Sequence, residues 1–100
     1  MHVIARKALA DFWERRRDAR AALAAWHKLM TGADFADLAE LRRTFGSADY
    51  VPPYTIFDVG GNKYRIVTAI HYNRRKVYIR HVLTHAEYDR WSVAYRRTKR

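Results

Sequence analysis

The chain has no cysteine. Disulfides, thiolate-ligated zinc and a thiol nucleophile are therefore excluded. Proline occurs only as the adjacent pair Pro52-Pro53, and the four glycines include one pair, Gly60-Gly61. That glycine pair makes a turn with no helix behind it, so no phosphate-cradling loop is present. No apolar run is long enough to span a membrane, and the N-terminus lacks the apolar core of a signal peptide. The expected location is cytoplasmic. No two histidines stand at helical spacing with a carboxylate, so neither a metal site nor another cofactor is expected. Acidic residues are scarce, ten against 20 Lys and Arg.

What is there suffices for one hydrophobic core. A chain of 100 residues, 49% hydrophobic and 14% aromatic, reads as one globular domain over 1–100. Its formal net charge of +10 is unevenly placed. Residues 1–50 hold nine Lys and Arg against seven acids, whereas residues 51–100 hold eleven against three. Charge gathered in one half fits a polyanion such as nucleic acid, which neutralised phosphates bind with counterion release. A solvated basic surface, or a site for an acidic protein, is the alternative.

Periodicity divides the chain. Met1–Ile4 is a short edge strand or the lead-in to a helix. Leu9, Phe12 and Trp13, then Leu23, Trp26, Leu29 and Met30, recur at helix spacing between Arg6 and Met30. The knot Glu14-Arg15-Arg16-Arg17-Asp18 breaks this into a helical hairpin, with Asp18 the expected cap of the second helix. Gly32 ends it, and Asp34 or Asp37 starts a third short helix. Asp49 to Pro53 is extended. Tyr54–Val59, Lys63–Tyr72 and Lys76–Leu83 read as three strands of an antiparallel meander, turned at Gly60-Gly61-Asn62 and Asn73-Arg74-Arg75. Thr84-His85-Ala86-Glu87 is a capping box opening a last helix to about Tyr95, with the basic end 96–100 frayed. The expected fold is α+β: an N-terminal helical hairpin packed on a small twisted antiparallel sheet, followed by a C-terminal helix.

The residues with chemistry lie in the basic half. Alternation puts Arg65 and His71 on one face of the second strand. Arg65 and Arg80, on neighbouring strands, can clamp a phosphate; as ordinary strand arginines, one would pair with Asp58. His81, next to Arg80, is expected on the opposite face, as a core-side histidine or a second catalytic group. His85 and Tyr88 place an imidazole and a phenol one turn apart at a helix start. A surface histidine and a packing tyrosine are the bland readings. Arg74, Arg75 and Lys76, at a hairpin tip beside Tyr72 and Tyr78, suit phosphate contact and base stacking, or simply a solvated turn.

Together these strings resemble the HigB toxins of the RelE/ParE-like superfamily of type II toxin–antitoxin systems. The likeness rests on Met1-His2-Val3-Ile4, on Gly60-Gly61-Asn62-Lys63-Tyr64-Arg65, and on Tyr78-Ile79-Arg80-His81-Val82-Leu83-Thr84-His85-Ala86-Glu87-Tyr88-Asp89. It implies a RelE-like fold and a metal-independent endoribonuclease that cleaves mRNA, in the ribosomal A site, by 2′-hydroxyl attack on the adjacent phosphate. It also implies a HigA-type helix-turn-helix antitoxin. The implied catalytic residues are Arg65, Arg80, His85 and Tyr88; Asn62, Lys63, His71, Arg74, Arg75 and Lys76 would bind RNA. The free toxin is expected to be a monomer, since its sheet face must stay open. A gyrase inhibitor of the ParE type and a non-catalytic RNA- or ribosome-binding module are the competing functions.

Overall fold

A computed structural model describes residues 1–98. Its order is β1 (His2–Ile4), α1 (Lys7–Arg15), α2 (Arg20–Thr31), α3 (Leu38–Thr44), β2 (Asp49–Val51), β3 (Tyr54–Val59), β4 (Tyr64–His71), β5 (Lys76–Thr84) and α4 (His85–Thr98). The protein is α+β, with the helical hairpin, the sheet and the C-terminal helix in the expected order.

The sheet has five strands in the order β1-β5-β4-β3-β2. The antiparallel meander β3-β4-β5 forms its centre, and both flanks extend it. Met1–Ile4 resolves as an edge strand. It pairs parallel to β5 with Val3 opposite Val77, which makes the sheet mixed. The extended backbone before the prolines becomes β2, antiparallel to β3, with Val51 opposite Tyr54.

One sheet face carries the main core. Leu9 and Phe12 of α1 and Leu23, Trp26 and Met30 of α2 are buried against Phe57, Tyr64, Ile66, Val77 and Ile79. Trp26 meets Phe57 edge-on at 5.3 Å between centroids, and Phe12 meets Tyr64 in the same manner at 5.5 Å. Leu29, which shares the helical spacing, stays half-exposed on the outer side. Each large side chain on this face contributes about 1.5–3 kcal/mol by leaving water.

One helix start differs from expectation. Asp18 does not cap α2. A short 3-10 turn over Arg17–Ala19 intervenes, and the Asp18 carboxylate instead accepts a 2.5 Å hydrogen bond from the Tyr64 hydroxyl. Of the two candidate caps for the third helix, Asp37 serves, accepting from the Glu40 amide at 2.9 Å. Asp34 takes a bond from the Met1 amino group. The last helix continues past Tyr95 to Thr98, so Arg96 and Arg97 are helical, while Lys99 and Arg100 of the expected frayed end lie outside the described residues. Among the described residues no helix is long and apolar enough to cross a membrane.

Candidate nucleic-acid interface on the open sheet face

The second face of the sheet is covered only in part. Helix α4 crosses it, held by Trp91 and Tyr95 against Tyr54 at 5.7 and 5.4 Å and by the Tyr95 hydroxyl donating to the Pro52 carbonyl. Ile56 and Val67 are buried on this side. Among the described residues no α-helix covers the end toward the β4–β5 hairpin, and the side chains there are polar, aromatic and cationic. This α4-lined face is where most of the candidate residues gather.

A break in register decides which residues belong to it. In β4–β5 the pairs run Tyr64 with Thr84, Arg65 with Leu83, Ile66 with Val82 and Val67 with His81. The next pair is Thr68 with Ile79, so Arg80 is an extra residue, a β-bulge. The bulge resets the alternation. His81 opposes Val67 and shares the face of Arg65 and Tyr78, which corrects the expectation that it faces the other way. It is exposed and no core histidine; its ring lies 5.7 Å from that of Trp91. Partial burial, and then the neighbouring Arg80, hold its imidazole below the ordinary value. Arg80 reaches the same face, its guanidinium 5.3 Å from the centroid of Tyr78. Val82 and Leu83 are both apolar, so the sequence fits either phase beyond Ile79 and does not mark the bulge.

Arg65 is not a loose clamp. It is 7% exposed. Its Nε pairs with Asp58 at 2.7 Å, Nη1 donates to the carbonyls of Asn62 at 3.0 Å and Tyr64 at 3.2 Å, and Nη2 donates to Asn62 Oδ1 at 2.8 Å. One Nη2 N–H remains without an acceptor among the described residues. The guanidinium stands 5.6 Å from the Tyr88 ring centroid. Asn62 can reach it because the turn Gly60-Gly61-Asn62 has three successive positive φ values, 63°, 63° and 74°. The side chains of Arg65 and Tyr88 open into a cleft of about 480 Å³, also lined by Arg42, Asp49 and Asp58.

His85 sits at the same end of the sheet. The capping box forms as read: the Thr84 amide donates to Glu87 at 2.9 Å, and the Glu87 amide donates to Thr84 Oγ1 at 3.2 Å. The His85 amide donates to the Lys63 carbonyl, tying the helix start to the β3–β4 turn. The imidazole is half-exposed, and Nδ1 lies 3.1 Å from a carboxylate oxygen of Asp89, one turn on. The contact is an ion pair when the ring is protonated. Tyr88, three residues along, turns inward toward Arg65 and Trp91.

The structure brings Asn62, Lys63, Arg65, His85 and Tyr88 to one end of β4. His71, Arg74, Arg75 and Lys76 stand at the other end, about 23 Å away at about 3.3 Å per residue. Arg75, in left-handed backbone, has its Nε 3.7 Å from Asp34, on the side of the β1 edge. Arg80 and His81 fall between the two groups. Trp91 and Tyr54 also wall this face.

A small α+β protein with one sheet face sealed by helices and the other lined by cations and rings has the build of a polyanion-gripping protein. The model of the HigB toxin family, described as the RelE-like toxic component of a toxin–antitoxin system, matches residues 19–91. Two relatives are each 34% identical over 99 residues, covering 96% of this chain and 95% of their own: the mRNA interferase toxin HigB of Escherichia coli K12 and the mRNA interferase HigB of Shigella flexneri. A third, the mRNA interferase HigB of Escherichia coli O6:H1, is 28% identical over 99% of both chains. The chain belongs to the HigB toxin family.

Proposed function

We propose that this chain is an mRNA interferase, the toxin of a type II toxin–antitoxin pair, which stops translation by cutting mRNA. The observation that carries the reading beyond family membership is the arrangement at the Asn62 end of the open face. A half-exposed imidazole, His85, with Asp89 3.1 Å from its Nδ1, stands at the start of the helix whose Tyr88 rests on a fixed arginine, Arg65.

The reaction that fits is an internal displacement. The ribose 2′-oxygen bonds to the adjacent phosphorus as the bond to the 5′-oxygen breaks, leaving a 2′,3′-cyclic phosphate and a free 5′-hydroxyl. One proton leaves the 2′-hydroxyl and one arrives on the 5′-oxygen, so no water is consumed. His85 is the leading proton-transfer group, with Tyr88 assisting or stacking on a base. Arg65 supplies its one open N–H to the phosphorane; its pairing with Asp58 leaves the exposed charges of Arg80 and Lys63 to neutralise the rest. Lys76, Arg74, Arg75 and His71 hold the strand further along. The partners in this reading are the translating ribosome and a HigA-type antitoxin, and the free toxin is a cytoplasmic monomer.

The test is cleavage of mRNA on translating ribosomes, with new 5′ ends mapped. His85→Ala is expected to lower the rate about 10²- to 10⁴-fold, the usual contribution of a general acid or base. Arg65→Ala is tested alongside, with its melting temperature measured because the residue is buried. If both variants cleave at the parent rate, the assignment is wrong. DNA damage signals without mRNA cleavage would point instead to gyrase.

A further inference from the structure

We propose that His71 and Tyr78, near the hairpin end of the open face, form a nucleobase-stacking subsite for a nucleotide flanking the scissile phosphate, with Arg80 holding the adjoining phosphate. The inference rests on the RNA-cleaving reading above and adds to it a base contact beyond the reacting centre, with Arg80 between the two.

The sequence places the two rings on adjacent strands: His71 opposes Lys76 and Tyr78 opposes Ala69, so they are diagonal neighbours on one face. Their rings meet edge-to-face, 5.3 Å between centroids and 87° between planes. Behind them Val77 is buried and Ile79 nearly so, which makes the strand beneath a rigid support. In front, His71 is exposed and Tyr78 half-exposed. The small Ala69 opposite Tyr78 leaves room beside the ring.

The chemistry of the rim selects the occupant. An apolar partner would meet uncovered aliphatic surface; here the rings are edged by Lys76, which opposes His71, and by Arg80, which lies over Tyr78 itself. A flat ring with a phosphate attached satisfies both the aromatic faces and the cations, which is the pairing that single-stranded nucleic acid offers. Tyr78 and Arg80, two residues apart, share this face by regular alternation, and the bulge at Arg80 adds His81 to it.

The experiment measures binding of a 2′-O-methylated, uncleavable single-stranded RNA by anisotropy, with an abasic site walked through it. At one position the abasic change is expected to weaken wild-type binding about tenfold, as loss of one base stack does. In Tyr78→Leu that same change is expected to cost nothing further. His71→Ala, an exposed substitution that spares the fold, is expected to show the same loss of coupling at the same position. The inference is overturned if wild type does not bind the RNA or if every abasic position costs wild type and both variants equally. It is also overturned if the variants lose only binding of an acidic peptide. Cleavage is scored separately: position-specific coupling without any cleavage keeps the subsite and removes the nuclease, and cleavage without coupling does the reverse.

Discussion

Asn62 holds Arg65 twice, its side-chain oxygen accepting from Nη2 at 2.8 Å and its carbonyl from Nη1 at 3.0 Å. A residue at the tip of a turn thereby orients a guanidinium at the edge of the cleft. The positive φ of Asn62, 74°, is what turns both oxygens toward the same arginine.

Asn62→Gly keeps the left-handed turn and deletes only the side-chain acceptor. The lost hydrogen bond to a charged group is worth about 1.5–3 kcal/mol, reduced by whatever water recovers at this partly exposed site. The expected outcome is a lower midpoint in urea unfolding with an unchanged slope. RNA cleavage is expected to fall mainly in kcat, because the charge stays and only its orientation loosens.

Gly60 has a φ of 63°, and a Cβ there would lie 2.9 Å from the Tyr64 ring. Gly60→Ala therefore meets two penalties: about 1–2 kcal/mol for left-handed backbone, and displacement of a buried ring. The Tyr64 hydroxyl would also be drawn off Asp18. Thermal unfolding is expected to shift down by several degrees, while Gly61→Ala, with open space around its Cβ position, loses only the backbone part.

The Asp18–Tyr64 hydrogen bond makes stability depend on pH at both extremes. The bond from Tyr64 holds the Asp18 carboxyl below its ordinary 3.8. Its contribution is present above that value and is lost as pH falls through the folded pKa. The same bond, with burial second, raises the Tyr64 phenol above its ordinary 10.0, so the contribution is also lost as pH rises beyond that. Stability measured across pH 2 to 5 is expected to fall less steeply in Tyr64→Phe than in the parent. An identical slope in the two proteins would remove this hydrogen bond from the account.

Under the proposed mechanism Asp89 would act on the reaction through His85. Asp89→Asn keeps an acceptor oxygen near Nδ1 while removing the charge. The expected result is a smaller loss of cleavage than His85→Ala causes, with the fold unaffected because both residues are solvent-facing. Equal activity of Asp89→Asn and wild type would mean that the imidazole needs no orienting partner.

Much of the fold was legible because it is written in local pattern. Leu9, Phe12, Leu23, Trp26 and Met30 announce two helices by spacing, and the strands of the meander alternate around turns marked by Gly60-Gly61-Asn62 and Asn73. The capping box Thr84-Glu87 needs only a few consecutive residues, and it forms as read. The parallel pairing of Met1–Ile4 with β5 joins segments about seventy residues apart, and no local pattern marks it. Asp18 failed as a cap for a similar reason, since a hydroxyl 46 residues away competes for its carboxylate.

By itself, then, the sequence determined the helices, the meander, the basic half and the motif residues, since propensity, periodicity and charge act between near neighbours. Only the tertiary structure decided what those residues face. One extra residue at Arg80 moved His81 from the expected core side to the open face, because each strand position added to a ladder inverts every side chain beyond it. The same packing bore out the expected pairing of Arg65 with Asp58 and added Asn62 and Tyr88, as a charge withdrawn from water must find partners.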